Sequence, residues 1–322
     1  MKPAPAPTFV ACVLTWRNYQ LAHDCIESLT RSSSWPFPVV VVDNASGTGE
    51  GDRLAAEFAP HVTALILEAN GGTPAGYNAA IRWAAERGAD QILLLNNDTI
   101  STDPEMVNQL LAAAAPDVAG VSPLIKTPAG GIQSAGGTLS WRTGRAGHLS
   151  TAGARASSGP YEMDWLEASC LLVSLPAARA AGGFADDFFL YWDDVDWCVR
   201  ARRAGFRCLV QPATSIVHLG TASISNATQR QYWMRNKLLF MRRNAGLRDN
   251  AWTVVAFVFR TVPYHVLRQG MAPRRWLAVL RSGAAALSWN VADAIARRSW
   301  RVPADGPSIA DDLTAPDIAA QV

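Results

Sequence analysis

Three carboxylates, Asp193, Asp194 and Asp196, lie in "FFLYWDDVDWCVRARRAG", residues 188–205, between bulky aromatics and a run of arginines. An acid beside Phe, Tyr and Trp is partly removed from water, which is costly for a charge. Two uses account for that cost. Carboxylates in the first turn of a helix stabilise it through the helix dipole and the free N–H groups. A sheltered carboxylate is also a stronger base than an exposed one, suited to taking a proton from an incoming group. On these residues alone both uses stay open.

Further candidates fall where short apolar runs end. The first run is followed by "TWRN", the second by "VDNAS" with Asp43, the third by the glycine-rich "EANGGTPAGYN", and the fourth by "NND" with Asp98. Taken singly, each is ordinary turn or cap chemistry. Together they matter, because ligands of open α/β sheets bind beyond the carboxyl ends of the strands. Glycine lets backbone approach a ligand closely, and the third turn has it. The first turn lacks G-x-G-x-x-G, which argues against a nicotinamide dinucleotide site.

The elements that must position these residues read as β-α-β-α. Runs 9–15, 39–44, 62–68 and 91–98 are rich in Val, Ile and Leu and predict strands buried on both faces of a parallel sheet. Helices are predicted over 19–32, 51–59, 74–87 and 104–114, the last with Asp103 as N-cap and Pro104 at the first helical position. The expected fold is a doubly wound α/β domain. Residues 118–175 are rich in Gly and Ser and predict hairpins and mobile loops. Strands are then expected over 165–174, 206–211 and 214–220. From 230 the chain turns helical and apolar, but Arg, Pro and Gly interrupt it before the roughly 18 residues a bilayer span requires. Trp and Arg beside modest apolar faces suit helices lying in a membrane interface. Packing on the preceding domain is the other use.

"VVVVDNAS", "LLLNNDT", "GGFADDFFLYWDDVDWCVRARRAG" and "YWMRNKLLFMRRN" resemble the family 2 glycosyltransferases of the GT-A fold, and most of all their rhamnosyltransferase-like branch. The resemblance runs over about residues 8–245 in matching order. It implies a mixed doubly wound sheet and inverting transfer of a hexose or deoxyhexose, with dTDP-rhamnose favoured over other dTDP- or UDP-sugars. The acceptor would be a hydroxyl, on a lipid-linked saccharide or on a soluble natural product. Thr15 would line the nucleotide site, Asp43 would bond the pyrimidine, and Asn70, Gly71 and Gly72 would lie against base and ribose. Asn96, Asn97 and Asp98 occupy the place of the family's D-x-D motif. Asn stands where that motif begins with an acid, so Asp98 is the firm anionic ligand for Mg²⁺ or Mn²⁺, with Asn96 beside it, Asn97 toward the substrate, and His218 a further ligand. Asp194 matches the second acid of the family's E-D segment and would be the general base. Asp193 would orient the acceptor, and Phe189, Tyr191 and Trp192 would form a sugar-stacking wall. Trp165 would lie on the acceptor side, with Glu167 nearby. Arg235, with Asn236, would meet a diphosphate or lipid phosphate.

Charge divides the chain. Residues 1–229 carry 15 Lys and Arg against 21 Asp and Glu, residues 230–301 carry 14 against 2, and the tail from 302 carries four acids and no base. The basic block points to a polyanionic partner, here an anionic membrane surface. Nucleic acid is not the expected partner, because long apolar stretches interleave the arginines. The expected organisation is a flexible 1–7, a nucleotide-sugar half 8–117, an acceptor half 118–229, a basic helical region 230–301 and a disordered acidic tail 302–322. Five cysteines without a CxxC pair favour free thiols, hence a cytoplasmic enzyme, peripheral at the inner face of the membrane. A reading from another class is a sugar-nucleotide or lipid-phosphate binding module without catalysis, to which the "NND" departure lends support.

Overall fold

A computed structural model describes residues 9–149, 159–220, 226–268, 276–277, 279–281, 283–285 and 287–288. The expectations for 1–7 and 302–322 lie outside the described residues, as does much of the chain past 268.

Four parallel strands, β1 (Phe9–Thr15), β2 (Val39–Asp43), β3 (Val62–Ile66) and β4 (Gln91–Asn96), form one side of a ten-stranded sheet. Helices α1 (Tyr19–Thr30), α2 (Glu50–Glu57) and α3 (Gly72–Glu86) connect them. Alternation along the strands sorts the core into two layers. Ala11, Val13, Val39, Val41, Leu93 and Leu95 face α1 and α2, whereas Cys12, Leu14, Val40, Val42 and Leu94 face α3. β3 departs from the expectation of burial on both faces, since it is the sheet's edge and Ile66 is exposed.

The other side of the sheet is mixed. β5 (Thr99–Ser101) follows β4 at once; α4 (Met106–Ala113) and β6 (Val118–Lys126) come next. α4 starts two residues later than expected. The Asp103 carboxylate accepts from the Glu105 N–H at 2.9 Å and from the Thr214 hydroxyl at 2.6 Å, so it makes a turn before the helix. The Gly-rich stretch supplies β7 (Ile132–Ser134), a hairpin of β8 (Gly137–Ser140) and β9 (Arg145–His148), and the short β10 (Tyr161–Glu162). β11 (Cys170–Ser174) runs antiparallel between β4 and β6. This reversal places the start of β11 beside the end of β4, so the Ser169 carbonyl accepts from the Asn96 N–H at 3.0 Å.

After β11 come α5 (Leu175–Ala181), a 3-10 turn at Asp186–Phe188 and α6 (Asp193–Arg203). The two strands expected over 206–211 and 214–220 are one, β12 (Arg207–His218), parallel to β6 with a register shift between Gln211 and Ser215. Its end pairs with β5, His218 opposite Thr99. α7 (Asn226–Asn244) packs on the sheet domain through Leu239, Phe240 and Met241. α8 (Leu247–Ala256), a π-helical turn at Phe257–Thr261 and α9 (Val262–Arg268) follow. No helix among the described residues is long and apolar enough to cross a membrane.

Candidate active site

The carboxyl ends of β1, β2 and β4 meet as expected, and a residue that the sequence did not single out ties them together. Glu50, at the start of α2 and 3% exposed, accepts from the hydroxyls of Thr15 (3.0 Å) and Ser46 (2.8 Å). Asn97 donates its amide to Thr15 Oγ1 at 3.1 Å. Asp43 is buried, and its two oxygens accept from the backbone N–H groups of Ser46 (2.7 Å) and Gly51 (3.3 Å). The pyrimidine contact expected of Asp43 therefore has to share oxygens that already fold the loop after β2. Thr15 likewise is already bonded, accepting from Asn97 and donating to Glu50.

The glycine turn binds protein. Asn70 accepts from the Gly72 N–H at 2.9 Å, and Asn44 accepts from the Gly71 N–H at 3.3 Å. Gly72 has φ +79, and a Cβ there would stand 2.0 Å from the Phe189 carbonyl oxygen. That oxygen accepts from the Thr73 N–H at 2.8 Å. The space expected for base and ribose at Gly72 is thus filled by the segment that leads to Asp194.

That segment is strained. Phe189, Tyr191 and Trp192 have φ of +59, +66 and +70 without being glycine, each conformation costing on the order of 1–3 kcal/mol. Two helices hold it in place. From α3, Asn78 exchanges hydrogen bonds with Phe184, donating at 2.7 Å and accepting at 2.8 Å. From α7, the fully buried Asn236 donates to the carbonyls of Phe188, Leu190 and Tyr191 at 2.7–2.9 Å. Arg235 donates to the Asp187 carbonyl at 2.8 Å. The Arg235–Asn236 pair expected at a phosphate therefore fixes the acidic loop. A buried Asn amid the apolar stretch of α7 could have signalled as much, but its partners lie about 45 residues away in sequence.

The loop delivers Asp193 and Asp194 to the first turn of α6. Asp196, also there, bonds Arg200 Nε and the Asn244 amide, both at 2.7 Å, and is structural. Asp194 is half-buried and accepts from the Ala168 N–H at 3.4 Å and from the Val195 N–H at 2.8 Å. Burial first, then Asp193 and Glu167, push the Asp194 carboxyl well above the usual carboxylate range. Burial likewise raises Asp193 to about 6.

Ala168 joins this acid to the sheet edge. Its carbonyl and the Asn96 side-chain oxygen are both 2.8 Å from the Tyr77 hydroxyl. Asn96 thus turns to Tyr77, away from the metal position expected for it. Glu167, next in line, lies between two histidines, His218 (3.5 Å) and His148 (3.8 Å). The opposite nitrogen of His218 meets Asp98 Oδ1 at 3.2 Å. Burial works against a charge on His218, but Asp98 and Glu167 overcome it and raise the pKa to about 9. Asp98, His218, Glu167, Ala168 and Asp194 thus form one continuous row along the edge.

Residues 11–142 match the family model described as Glycosyl transferase family 2. The chain carries a family 2 glycosyltransferase domain. Among curated relatives, an "N-acetylglucosaminyl-diphospho-decaprenol L-rhamnosyltransferase" of Mycobacterium tuberculosis is 26% identical over 60% of this chain and 70% of that protein. A "dTDP-rhamnosyl transferase RfbF" of Shigella flexneri is 23% identical over 64% and 71%. The "O-antigen biosynthesis protein RfbC" of Myxococcus xanthus is 27% identical over 66% of this chain, which spans only 18% of it. The fold matches that of GalNAc-T7, solved with UDP, GalNAc and Mn²⁺, with a TM-score of 0.65 at 10% identity over 94% of this chain and 59% of that one. The architecture is GT-A, as expected.

The family 2 match ends at 142, so Asp194 and His218 lie beyond it and rest on their geometry. The residues present fit a divalent cation. Asp98 and His218 offer a carboxylate oxygen and an imidazole nitrogen side by side, a donor pair that manganese accepts. The negative charge of Asp98 and Glu167, which favours a proton on His218, is what a cation would relieve. A second group of possible ligands, His23, Asp24 and Glu27, lies on α1, where His23 also pairs with Glu57.

Two aromatic assignments are corrected. Trp165, expected on the acceptor side, is 4% exposed and covers Gly137, where a Cβ would meet its ring at 2.0 Å, so it packs in the core. Trp192 is equally buried, packed on Trp233 and Phe240. Of the expected stacking wall, Tyr191 and Phe189 remain partly exposed, and Phe189 stacks on Tyr232.

Proposed function

We propose that the enzyme transfers a deoxyhexose, rhamnose from dTDP-rhamnose foremost, to a hydroxyl of a lipid-linked saccharide with inversion at the anomeric carbon. The observation that carries this reading is the row from Asp98 to Asp194, with a carboxylate–histidine pair at one end and a sheltered carboxylate at the other. Asp194 takes the proton from the acceptor hydroxyl while its oxygen bonds to the anomeric carbon. The bond from that carbon to the diphosphate oxygen breaks, and the nucleoside diphosphate leaves with the electron pair. One displacement with a base on the attacking side inverts the centre. Asp98 and His218 would hold Mn²⁺ or Mg²⁺, which when bound stabilises charge on the departing diphosphate. Asp193 orients the acceptor beside the base. Rhamnose and the lipid-linked acceptor are drawn from the names of the mycobacterial and Shigella relatives.

The test is release of nucleoside diphosphate from a panel of dTDP-, UDP- and GDP-sugars, with Mn²⁺ and with chelator. Turnover of dTDP-rhamnose that needs the cation is the expected result. No turnover of any donor under either condition would favour a binding module.

The pH dependence follows from the buried acids. A base works only when ionised, and the Asp194 pKa is raised. Activity is therefore full at alkaline pH and falls as pH drops through the raised value, tenfold per pH unit below it. The acid limb of kcat/KM is expected above the ordinary Asp pKa of about 4. A profile flat down to that value would count against Asp194 as the base.

A further inference from the structure

The helices after the sheet domain are apolar on two sides, and among the described residues one of these sides packs on α7. Phe257 is buried with Met234 and Leu238 of α7, with Val254, Val262 and Val266 packed alongside. Away from α7, Trp252, Val255, Val258, Phe259, Tyr264 and Leu267 are exposed, Phe259 by 77% and Leu267 by 76%. Among the described residues, Ile66 is the one exposed large hydrophobic side chain before Trp252. A helix apolar all round belongs in a core or against lipid, and no helix among the described residues is long and apolar enough to span a bilayer.

Cations rim the same region. Arg248 and Arg260 are exposed. Lys237 of α7 is 5% exposed, and its ammonium has the Thr261 hydroxyl at 3.4 Å. Its charged neighbours are Arg260 and Arg145, both cations, and among the described residues no carboxylate pairs with it. The β8–β9 hairpin brings Arg145 there: a Cβ on the adjoining Gly144 would stand 2.8 Å from Met241 and 3.0 Å from Thr253. The Thr253 hydroxyl is buried without a partner. A sheltered ammonium between two guanidiniums lacks the counter-ion that buried charge requires.

We propose that this face docks on an anionic lipid bilayer, with Trp252, Phe259 and Leu267 entering the acyl boundary while Lys237, Arg145 and Arg260 take a lipid phosphate. Charge favours lipid over a second copy of the chain, because residues 230–301 carry 14 Lys and Arg against 2 acids and two such faces repel. The apolar side chains sit among the cations, as interfacial helices require. Docking does not rest on the identity of donor or acceptor.

The test is co-sedimentation of the full chain with vesicles of phosphatidylcholine alone or mixed with phosphatidylglycerol. Binding to the mixed vesicles that weakens with salt, and little binding to phosphatidylcholine, is expected. Phe259→Asp with Leu267→Asp should lower the partition coefficient at least about tenfold, and Arg260→Gln about fivefold. Both variants change exposed positions, so an unchanged melting temperature and unchanged turnover of a water-soluble acceptor separate docking from catalysis. Equal binding to both vesicle types, binding to neither, or full binding by the double Asp variant would overturn the proposal. So would a wild-type dimer in light scattering that the double variant converts to monomer, since the face would then belong to a second copy.

Discussion

Asp194→Asn lowers kcat by about a hundred- to ten-thousandfold, the usual contribution of a positioned base, and leaves donor affinity within about twofold of wild type. The substitution separates the two uses of an acid in the first turn of α6. Asn suits a helix start about as well as Asp, and its amide oxygen can keep the shorter of the two bonds that the Asp194 oxygens now accept, the one from the Val195 N–H, while the longer one from Ala168 is given up. A capping role therefore predicts almost no loss of turnover, and a base predicts near-complete loss. Stability moves the other way. The Asp194 pKa is raised in the folded protein, so the folded state holds its proton more tightly than the unfolded one. Stability from that proton is full at acid pH and is lost as pH rises through the folded value. Asn never ionises, so the variant should match wild type at acid pH and exceed it at alkaline pH in urea unfolding.

The second large effect is at the other end of the row. Asp98→Asn keeps the size of the side chain but removes the nearer of the two anionic partners of His218. If the cation supplies about 4 kcal/mol at the departing diphosphate, kcat/KM falls roughly a thousandfold. The Mn²⁺ concentration for half-maximal activity should rise, so that added Mn²⁺ recovers part of the loss. A structural Asp98 would give an activity loss that Mn²⁺ does not relieve, together with a lower melting temperature. His218→Asn removes one neutral donor and should show the same Mn²⁺ dependence with a smaller loss.

The sheet was readable because four runs of Val, Ile and Leu alternate with helical stretches, and burial on two faces permits little else. The antiparallel β11 was readable as a strand but not as a reversal, since orientation depends on which neighbours it pairs with. β12 looked like two strands because Pro212, Ala213 and Thr214 interrupt the apolar pattern, while pairing with β6 resumes past the register shift. Within the proposed site, Asp98, Asp194 and His218 stood out by position and motif, and the fold brings them into one row. Glu50, Gln133, Tyr77 and His148 were not, because their roles arise from contacts dozens of residues away. Gln133 shows this, donating to Glu167 at 2.8 Å across 34 positions. The strained Phe189–Trp192 turn leaves no mark in residue type, for such φ values usually come with glycine. What reveals it is Asn236, whose three acceptors lie about 46 residues earlier in the chain.

In the proposed reaction one end of this row attracts a cation, the other shelters a base, and a single sugar nucleotide lies between them. Diffraction at the manganese edge from crystals grown with Mn²⁺ and dTDP addresses that arrangement directly. The anomalous peak should fall in coordinating contact with Asp98 and His218 and with the diphosphate, leaving Asp194 free of metal and facing the open end of the diphosphate. A peak on α1 at His23, Asp24 and Glu27 instead, or a nucleotide whose diphosphate points away from Asp194, would contradict the account.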